Sequence, residues 1–311
     1  MNVDVLANNP RWTTYFFIAA PVFAVVMAVV IILKYQQALA DFPVIAGFLG
    51  FIHQFRSKSI ISDEECQISS PITDPRYNKA FVHAILSEDD DMVAHLLRLG
   101  IVDANFYDGK MTVLQHAAAT GNEDVIQNLL ENGANVNAEA GHDRGRTALQ
   151  AASEGGHLAE VDRLLEKGAN INAAAGSKHG RTALQAASGG GHLAVVDLLL
   201  EKGAKVNPVA GSEYGRTALQ AASEGGHLAV VNRLLKYGAA VNAAAGERHG
   251  RTALQAASEG GHLAIVNRLL ERRANVNAAA SGCQGRTALQ AALEGSHHAV
   301  AERLRRAGAT R

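Results

Sequence analysis

A pentapeptide recurs at a constant interval through the C-terminal part of this chain. The sequence Arg-Thr-Ala-Leu-Gln occurs repeatedly, and consecutive copies begin 35 residues apart (181 − 146). The copies begin at Arg146, Arg181, Arg216, Arg251 and Arg286. A degenerate copy begins one interval earlier, at Met111, and residues 81–100 match the later half of a unit. A short unit repeated at a fixed interval predicts stacked copies that bury one another's apolar faces.

Each unit is predicted to form two short helices. Thr147 and Gln150 have the spacing of a capping box, in which the hydroxyl accepts from the N3 backbone N–H and the Gln side chain reaches back to the N-cap N–H. Gly155-Gly156 ends this first helix after about two turns, and a second helix ends at Gly168. The second helix is predicted to present an apolar stripe of Leu158, Val161, Leu164 and Leu165, with the charged residues Glu160, Asp162, Arg163 and Glu166 off the stripe.

Three motifs in this unit together resemble the ankyrin repeat. They are Gly-Arg-Thr-Ala-Leu-Gln-Ala-Ala, then Gly-Gly-His-Leu-Ala-Val-Val, then Leu-Leu-x-x-Gly-Ala-x-Val-Asn-Ala. The resemblance covers about residues 78–311 and implies an all-α solenoid of stacked helix-turn-helix units with projecting hairpin loops, in a domain spanning 76–311. The implied units are a capping unit at about 76–110, then 111–145, 146–180, 181–215, 216–250 and 251–285, and a capping unit at 286–311.

The sequence departs from the family pattern in three places. Thr-Ala-Leu-Gln replaces the family's Thr-Pro-Leu-His, which removes the proline but completes the capping box. The units have 35 residues rather than the family's 33, and the extra residues fall between Ala174 and Arg181, so the resemblance implies longer hairpin loops. Arg273 stands where the other units have a glycine in the left-handed conformation, and we expect a weaker joint at this position.

No catalytic or cofactor-binding motif stands out from the repeats. One histidine recurs in each unit, but stacked helices lie roughly 8 to 10 Å apart, too far for neighbouring imidazoles to share one metal ion, so we expect hydrogen bonds at the helix starts instead. These histidines are His157, His192, His227, His262 and His297. The net charge of −1 and an aromatic content of 5% argue against a nucleic-acid partner and a small-molecule substrate cavity. We therefore expect no enzyme activity, no metal and no cofactor.

The residues that differ between copies are concentrated at the tips of the hairpin loops. A loop that packing does not constrain is free to vary and to contact a partner, together with exposed residues of the inner helices. Drift after duplication would give the same variation, so both explanations stay open for each tip. The candidate partner-binding residues are His142, Asp143, Arg144, Lys178, His179, Glu213, Tyr214, Arg248, His249 and Gln284 at the tips, and Glu154, Glu224 and Glu259 on the inner helices.

An uncharged apolar segment precedes the repeats. Residues 15–33 contain no charged residue and would form a helix roughly 28 Å long, close to the thickness of the bilayer core. We predict a tail at 1–14, a transmembrane helix at 15–33, and a juxtamembrane segment and linker at 34–75. The basic groups after the span, Lys34, Arg56 and Lys58, outnumber those before it, Arg11 and the α-amino group, which favours a cytosolic repeat domain.

These features predict a single-pass membrane protein whose ankyrin domain binds a partner protein as a scaffold or adaptor. One alternative is a secreted or lumenal protein, because Ala38-Leu39-Ala40 has the small-x-small form of a signal-peptidase site. Another is a non-catalytic subunit of a membrane complex, in which the apolar segment packs against other helices.

Overall fold

The computed structural model describes residues 75–100, 102–139, 146–173, 181–208, 216–243, 251–279 and 285–310. Within these residues the fold is all-α and consists of antiparallel helix pairs. The pairs are α1 (Pro75–Leu86) and α2 (Asp90–Arg98), α3 (Val113–Thr120) and α4 (Glu123–Glu131), α5 (Ala148–Gly155) and α6 (Leu158–Glu166), α7 (Ala183–Gly190) and α8 (Leu193–Glu201), α9 (Ala218–Glu224) and α10 (Leu228–Lys236), α11 (Ala253–Glu259) and α12 (Leu263–Glu271), and α13 (Ala288–Glu294) and α14 (His298–Arg306).

The pairs stack in sequence order. The first helix of each pair packs against the first helix of the next pair, and the second helices form a parallel row with fewer contacts. The first helices can approach closely because many of their buried positions hold alanine, as in Ala148, Ala151 and Ala152. Larger side chains fill the space between the two rows, among them Leu149 and Leu164. The predicted solenoid of helix-turn-helix units is therefore confirmed.

The capping box predicted at the start of the first helices is present from α3 onwards. In every copy the Thr hydroxyl accepts from the N3 backbone N–H at 3.2–3.3 Å, and the Gln side-chain oxygen accepts from the Thr N–H at 2.8–3.0 Å. The Gln has a further role. For example, Gln255 Nε2 donates to the carbonyls of Ala278 and Ala279, both at 3.3 Å, at the base of the hairpin loop. One side chain thus fixes the helix start and the loop base together.

The stripe predicted for the second helix is wrong at two positions. Leu158 is 43% exposed, whereas Glu160 is only 7% exposed. Leu158 is the first residue of α6 and lies at the turn, so the buried face begins two residues later. Glu160 occupies the column that holds Val195, Val230, Ile265 and Val300 in the later units. A carboxylate therefore replaces an aliphatic side chain at one point in the core.

Asparagines at the loop bases join each unit to the next. The Asn207 side-chain oxygen accepts from the Ala240 N–H at 2.9 Å, and its Nδ2 donates to the Gly238 carbonyl at 2.9 Å. Asn105, Asn137, Asn242 and Asn277 repeat this two-bond arrangement. Since each amide satisfies two backbone groups of the loop that follows the second helix of the next unit, these residues stabilise both that loop and the joint.

The recurring histidines also bridge neighbouring units. Each lies at the N-cap position of a second helix but makes no side-chain hydrogen bond to that helix. Instead, His227 Nε2 lies 3.1 Å from the carbonyl of Gly189 in the preceding unit, so the imidazole donates across the joint. His192, His262 and His297 make the equivalent bond. The histidines make hydrogen bonds, as predicted, but the expectation that these bonds lie at the helix start is wrong, because the acceptor belongs to the preceding unit.

Each imidazole is enclosed by two glycines. A Cβ built on Gly225, in the same unit as His227, would lie 2.4 Å from His227 Nε2, and one on Gly191 of the preceding unit would lie 2.4 Å from Nδ1. Gly191 also has a left-handed backbone, with φ of 76°. This position therefore requires glycine both for its backbone conformation and for the space that the imidazole occupies.

Arg273 adopts the left-handed conformation, with φ of 63°. We expect Arg273→Gly to raise the free energy of unfolding of the repeat domain by about 1 kcal/mol, because an L-residue in this conformation is strained by roughly that amount. Urea unfolding followed by circular dichroism would measure the change. Arg272→Gly is the control, because its backbone has φ of −91° and gains no such relief. An Arg273→Gly protein no more stable than the natural one would contradict the expectation of a weaker joint.

Among the described residues, no helix is both long enough and apolar enough to cross a membrane. The predicted tail at 1–14, the transmembrane helix at 15–33 and residues 34–74 of the predicted linker lie outside the described residues, and the last linker residue, Pro75, begins α1.

Candidate functional site

Arginine and glutamate side chains form a row along the first helices. The arginine directly precedes the Thr N-cap, and the glutamate follows it eight residues later, near the end of the same helix. Because a helix of about two turns separates them, the arginine reaches along the exposed face to the glutamate. We call this set the Arg–Glu row; its members are Arg146, Glu154, Arg181, Arg216, Glu224, Arg251, Glu259, Arg286 and Glu294.

Ion pairs run along the row both within units and between them. Within units, Arg146 pairs with Glu154, Arg216 with Glu224, Arg251 with Glu259, and Arg286 with Glu294. Each of the first three glutamates also faces the arginine of the next unit. The distances are 3.9 Å from Glu154 to Arg181, 3.7 Å from Glu224 to Arg251 and 4.0 Å from Glu259 to Arg286. The glutamates thus alternate with arginines along the stack.

The histidines hold the backbone of this row in place. The carbonyls that accept from the imidazoles belong to Glu154, Gly189, Glu224 and Glu259, which are the glutamate positions of the row and its one glycine. Each of these four positions is therefore connected to the second helix of the following unit.

Arg216 lies close enough to two other arginines of the row for their charges to affect its pKa. Burial lowers the pKa of the Arg216 guanidinium, and the nearby guanidinium groups of Arg181 and Arg251 lower it further. The side chain is still 43% exposed. Exposed ion pairs contribute only about 0–1 kcal/mol each, so this row adds little to folding. Its charges remain available for contacts with another molecule.

Three of the predicted partner-binding residues, Glu154, Glu224 and Glu259, belong to the Arg–Glu row. The ten predicted at the loop tips lie outside the described residues. Sequence reasoning missed the arginines of the row, although the signal was present: the same eight-residue spacing from Arg to Glu recurs in the copies beginning at 146, 216, 251 and 286. In the described segments no group of three or more His, Cys, Asp or Glu residues is arranged to hold a metal ion.

Comparisons with known proteins agree with this architecture. A family model described as ankyrin repeats (3 copies) matches in overlapping stretches at 58–140, 81–175, 138–210, 174–245, 206–280 and 244–310. A crystal structure of the human ASB11 ankyrin repeat domain is similar, with a TM-score of 0.59 and 26% sequence identity, and the match covers 72% of this chain and 96% of that one. No curated protein sequence matches the chain significantly.

Proposed function

Since the chain belongs to the ankyrin-repeat family, we propose that residues 76–311 bind a partner protein through the face that carries the Arg–Glu row, together with the predicted loop-tip residues. Ankyrin repeats are typically protein-interaction scaffolds, and a stack of repeats offers an extended surface at little ordering cost. The observation that carries the proposal is the row itself, because charges aligned over successive units contribute little to folding. The proposal assigns binding, and no catalytic step, to the described residues.

The proposal also includes a membrane tether. Its support is the uncharged apolar segment at 15–33, which has the length of a bilayer-spanning helix. The basic residues that follow it support a cytosolic position for the repeats. In this arrangement the ankyrin domain is an adaptor that holds its partner protein at a membrane surface.

Site-specific photo-crosslinking tests the binding face. A benzophenone amino acid would replace Tyr214 at a loop tip or Glu224 in the row, and for comparison Glu201, an exposed residue at the end of α8. We expect the first two positions, on irradiation in cells, to crosslink to the same discrete protein, and the Glu201 position not to do so. Crosslinking mainly from Glu201 would show that the partner binds the opposite row of helices and would contradict the proposed face.

Membrane fractionation tests the tether. For the full chain with a C-terminal tag, we expect resistance to alkaline carbonate extraction, full mass, and digestion of the tag by protease added outside sealed vesicles. A soluble, protected protein that begins at Asp41 would instead establish cleavage after Ala40, the secreted or lumenal alternative. Copurification in detergent with an integral-membrane protein would favour the subunit alternative.

A further inference from the structure

The Arg–Glu row is interrupted once. Gly189 of α7 occupies the position that Glu154, Glu224, Glu259 and Glu294 occupy in the other full copies. The arginines on both sides of this position are retained, as Arg181 and Arg216. The row therefore lacks one carboxylate while it keeps every guanidinium.

The missing carboxylate would have had two partners. Glu224 shows the complete arrangement, since it pairs with Arg216 of its own unit and lies 3.7 Å from Arg251 of the next. A glutamate at 189 would face Arg181 and Arg216 in the same way. Among the described residues, Arg181 pairs only with Glu154, at 3.9 Å, and Arg216 only with Glu224. Each guanidinium therefore has one fewer carboxylate than Arg251, which pairs with two.

The space beside Gly189 is open. A Cβ at this position would lie 3.7 Å from Arg181 Nη1 and 3.7 Å from the Ala221 Cβ, which are ordinary contact distances. The two guanidinium groups are accessible, with side chains 49% exposed at Arg181 and 43% exposed at Arg216. The charge of Arg181 also contributes to the lowered pKa of Arg216, so the two guanidinium groups repel each other.

We propose that the gap at Gly189 binds a carboxylate of the partner protein, an aspartate or glutamate side chain, between Arg181 and Arg216. A carboxylate relieves the repulsion between the guanidinium groups and accepts their N–H donors, whereas a cationic or apolar side chain does neither. The inference rests on the proposed function, because it specifies the chemistry of the partner at one point of the same face.

The test uses a fluorescein-labelled peptide of alternating glycine and glutamate, with the full-length chain in detergent micelles. Gly189→Glu places a carboxylate of the chain itself in the gap, and Gly189→Gln places a neutral side chain of the same shape there. We expect Gly189→Glu to weaken peptide binding by about tenfold, because the guanidinium groups are then paired and a second carboxylate is repelled. Gly189→Gln should change binding by less than about threefold. Fluorescence anisotropy measures both.

Two controls separate the gap from general electrostatics. Ala194→Glu makes the same change in net charge at an exposed position on α8, and it should leave peptide binding within about twofold. A peptide of alternating glycine and glutamine should bind weakly to every variant. Replacing glycine within a helix raises helix propensity, so neither substitution at 189 is expected to unfold α7.

Three results would overturn the inference. The first is an equal loss of affinity for the glutamate peptide in Gly189→Glu and Gly189→Gln. The second is binding of the glutamine peptide as tight as that of the glutamate peptide. The third is tighter binding of the glutamate peptide after Glu213→Gln, which would show that the chain's own hairpin loop supplies the carboxylate. The photo-crosslinking result separates the two claims. If a partner is crosslinked but Gly189→Glu does not weaken peptide binding, the proposed function stands and the inference about Gly189 fails. If Gly189→Glu weakens peptide binding but no partner is crosslinked, only a carboxylate-binding site at Gly189 is supported.

Discussion

Gly191→Ala is expected to lower the free energy of unfolding of the repeat domain by about 3 kcal/mol. The left-handed backbone accounts for about 1–2 kcal/mol, and overlap of the new methyl group with His227 Nδ1, 2.4 Å from the ideal Cβ position, accounts for the rest. Because the strain lies between the units that begin at Arg181 and Arg216, coupling across this joint should weaken. Urea unfolding should then show a lower midpoint and a broader or divided transition.

Gly203→Ala is the matched control in the same unit. Gly203 has φ of 91°, but nothing lies within 4 Å of its Cβ position, so only the backbone cost of about 1–2 kcal/mol is expected. In a His227→Ala background, Gly191→Ala should cost no more than Gly203→Ala, since the overlapping ring is gone. Equal losses for Gly191→Ala and Gly203→Ala in the natural background would contradict the proposed enclosure of the imidazole.

Glu160→Val is expected to raise the free energy of unfolding by about 1–2 kcal/mol. The side chain is only 7% exposed, and the equivalent positions of the later units hold valine or isoleucine. Burial of a valine contributes about 1.5–3 kcal/mol, which outweighs the roughly 0.3–1 kcal/mol that a carboxylate contributes near a helix N-terminus. Thermal and urea unfolding of the repeat domain would measure the gain.

Glu166→Val provides the comparison on the same helix. Glu166 is exposed at the end of α6, so its replacement should change stability by no more than about 0.5 kcal/mol. If Glu160→Val were destabilising while Glu166→Val was neutral, the carboxylate of Glu160 would have a partner that stabilises it. The assignment of this column as an apolar one would then be wrong.

The features that could be predicted from the sequence are those set by local chemistry. The Thr and Gln of the capping box interact within four residues, and glycine at a helix end is favoured by its own backbone conformation. Both kinds of prediction are confirmed, as at Thr147 and Gly168. The stripe of α6 failed because periodicity gives an apolar arc but not its limits, and the buried face begins at Glu160 rather than at Leu158.

Contacts between units were harder to predict because they depend on how neighbouring copies are placed. Nothing within one unit indicates that an imidazole will enter the preceding unit, although a comparison of the copies contains the signal. The residue directly before the N-cap of each second helix has a left-handed backbone, and it is glycine wherever the next unit has a histidine at its own N-cap. It is Glu88 before the unit with Asn122, and Ser296 in the last copy, both with positive φ. The requirement for glycine therefore follows the histidine.

The arginines of the Arg–Glu row were missed for a different reason. Exposed charges on a short helix ordinarily indicate a solvated face, and one unit considered alone shows only one such pair. Stacking brings the pairs into one line, and only then is it clear that a carboxylate at 189 would face two arginines. The loop-tip residues are a third case. They were proposed as partner contacts because they vary between copies, and they lie outside the described residues.

Carboxyl footprinting of the full chain tests the central claim, that the partner protein binds the face of the Arg–Glu row. With the partner identified by crosslinking, carbodiimide-driven labelling of glutamates would be compared in the free and bound states by mass spectrometry. Labelling of Glu154, Glu224 and Glu259 should fall on binding, while that of Glu166 and Glu201 on the second helices should not change. Protection of Glu166 and Glu201, with the row still labelled, would place the interface on the opposite side of the stack and contradict the claim.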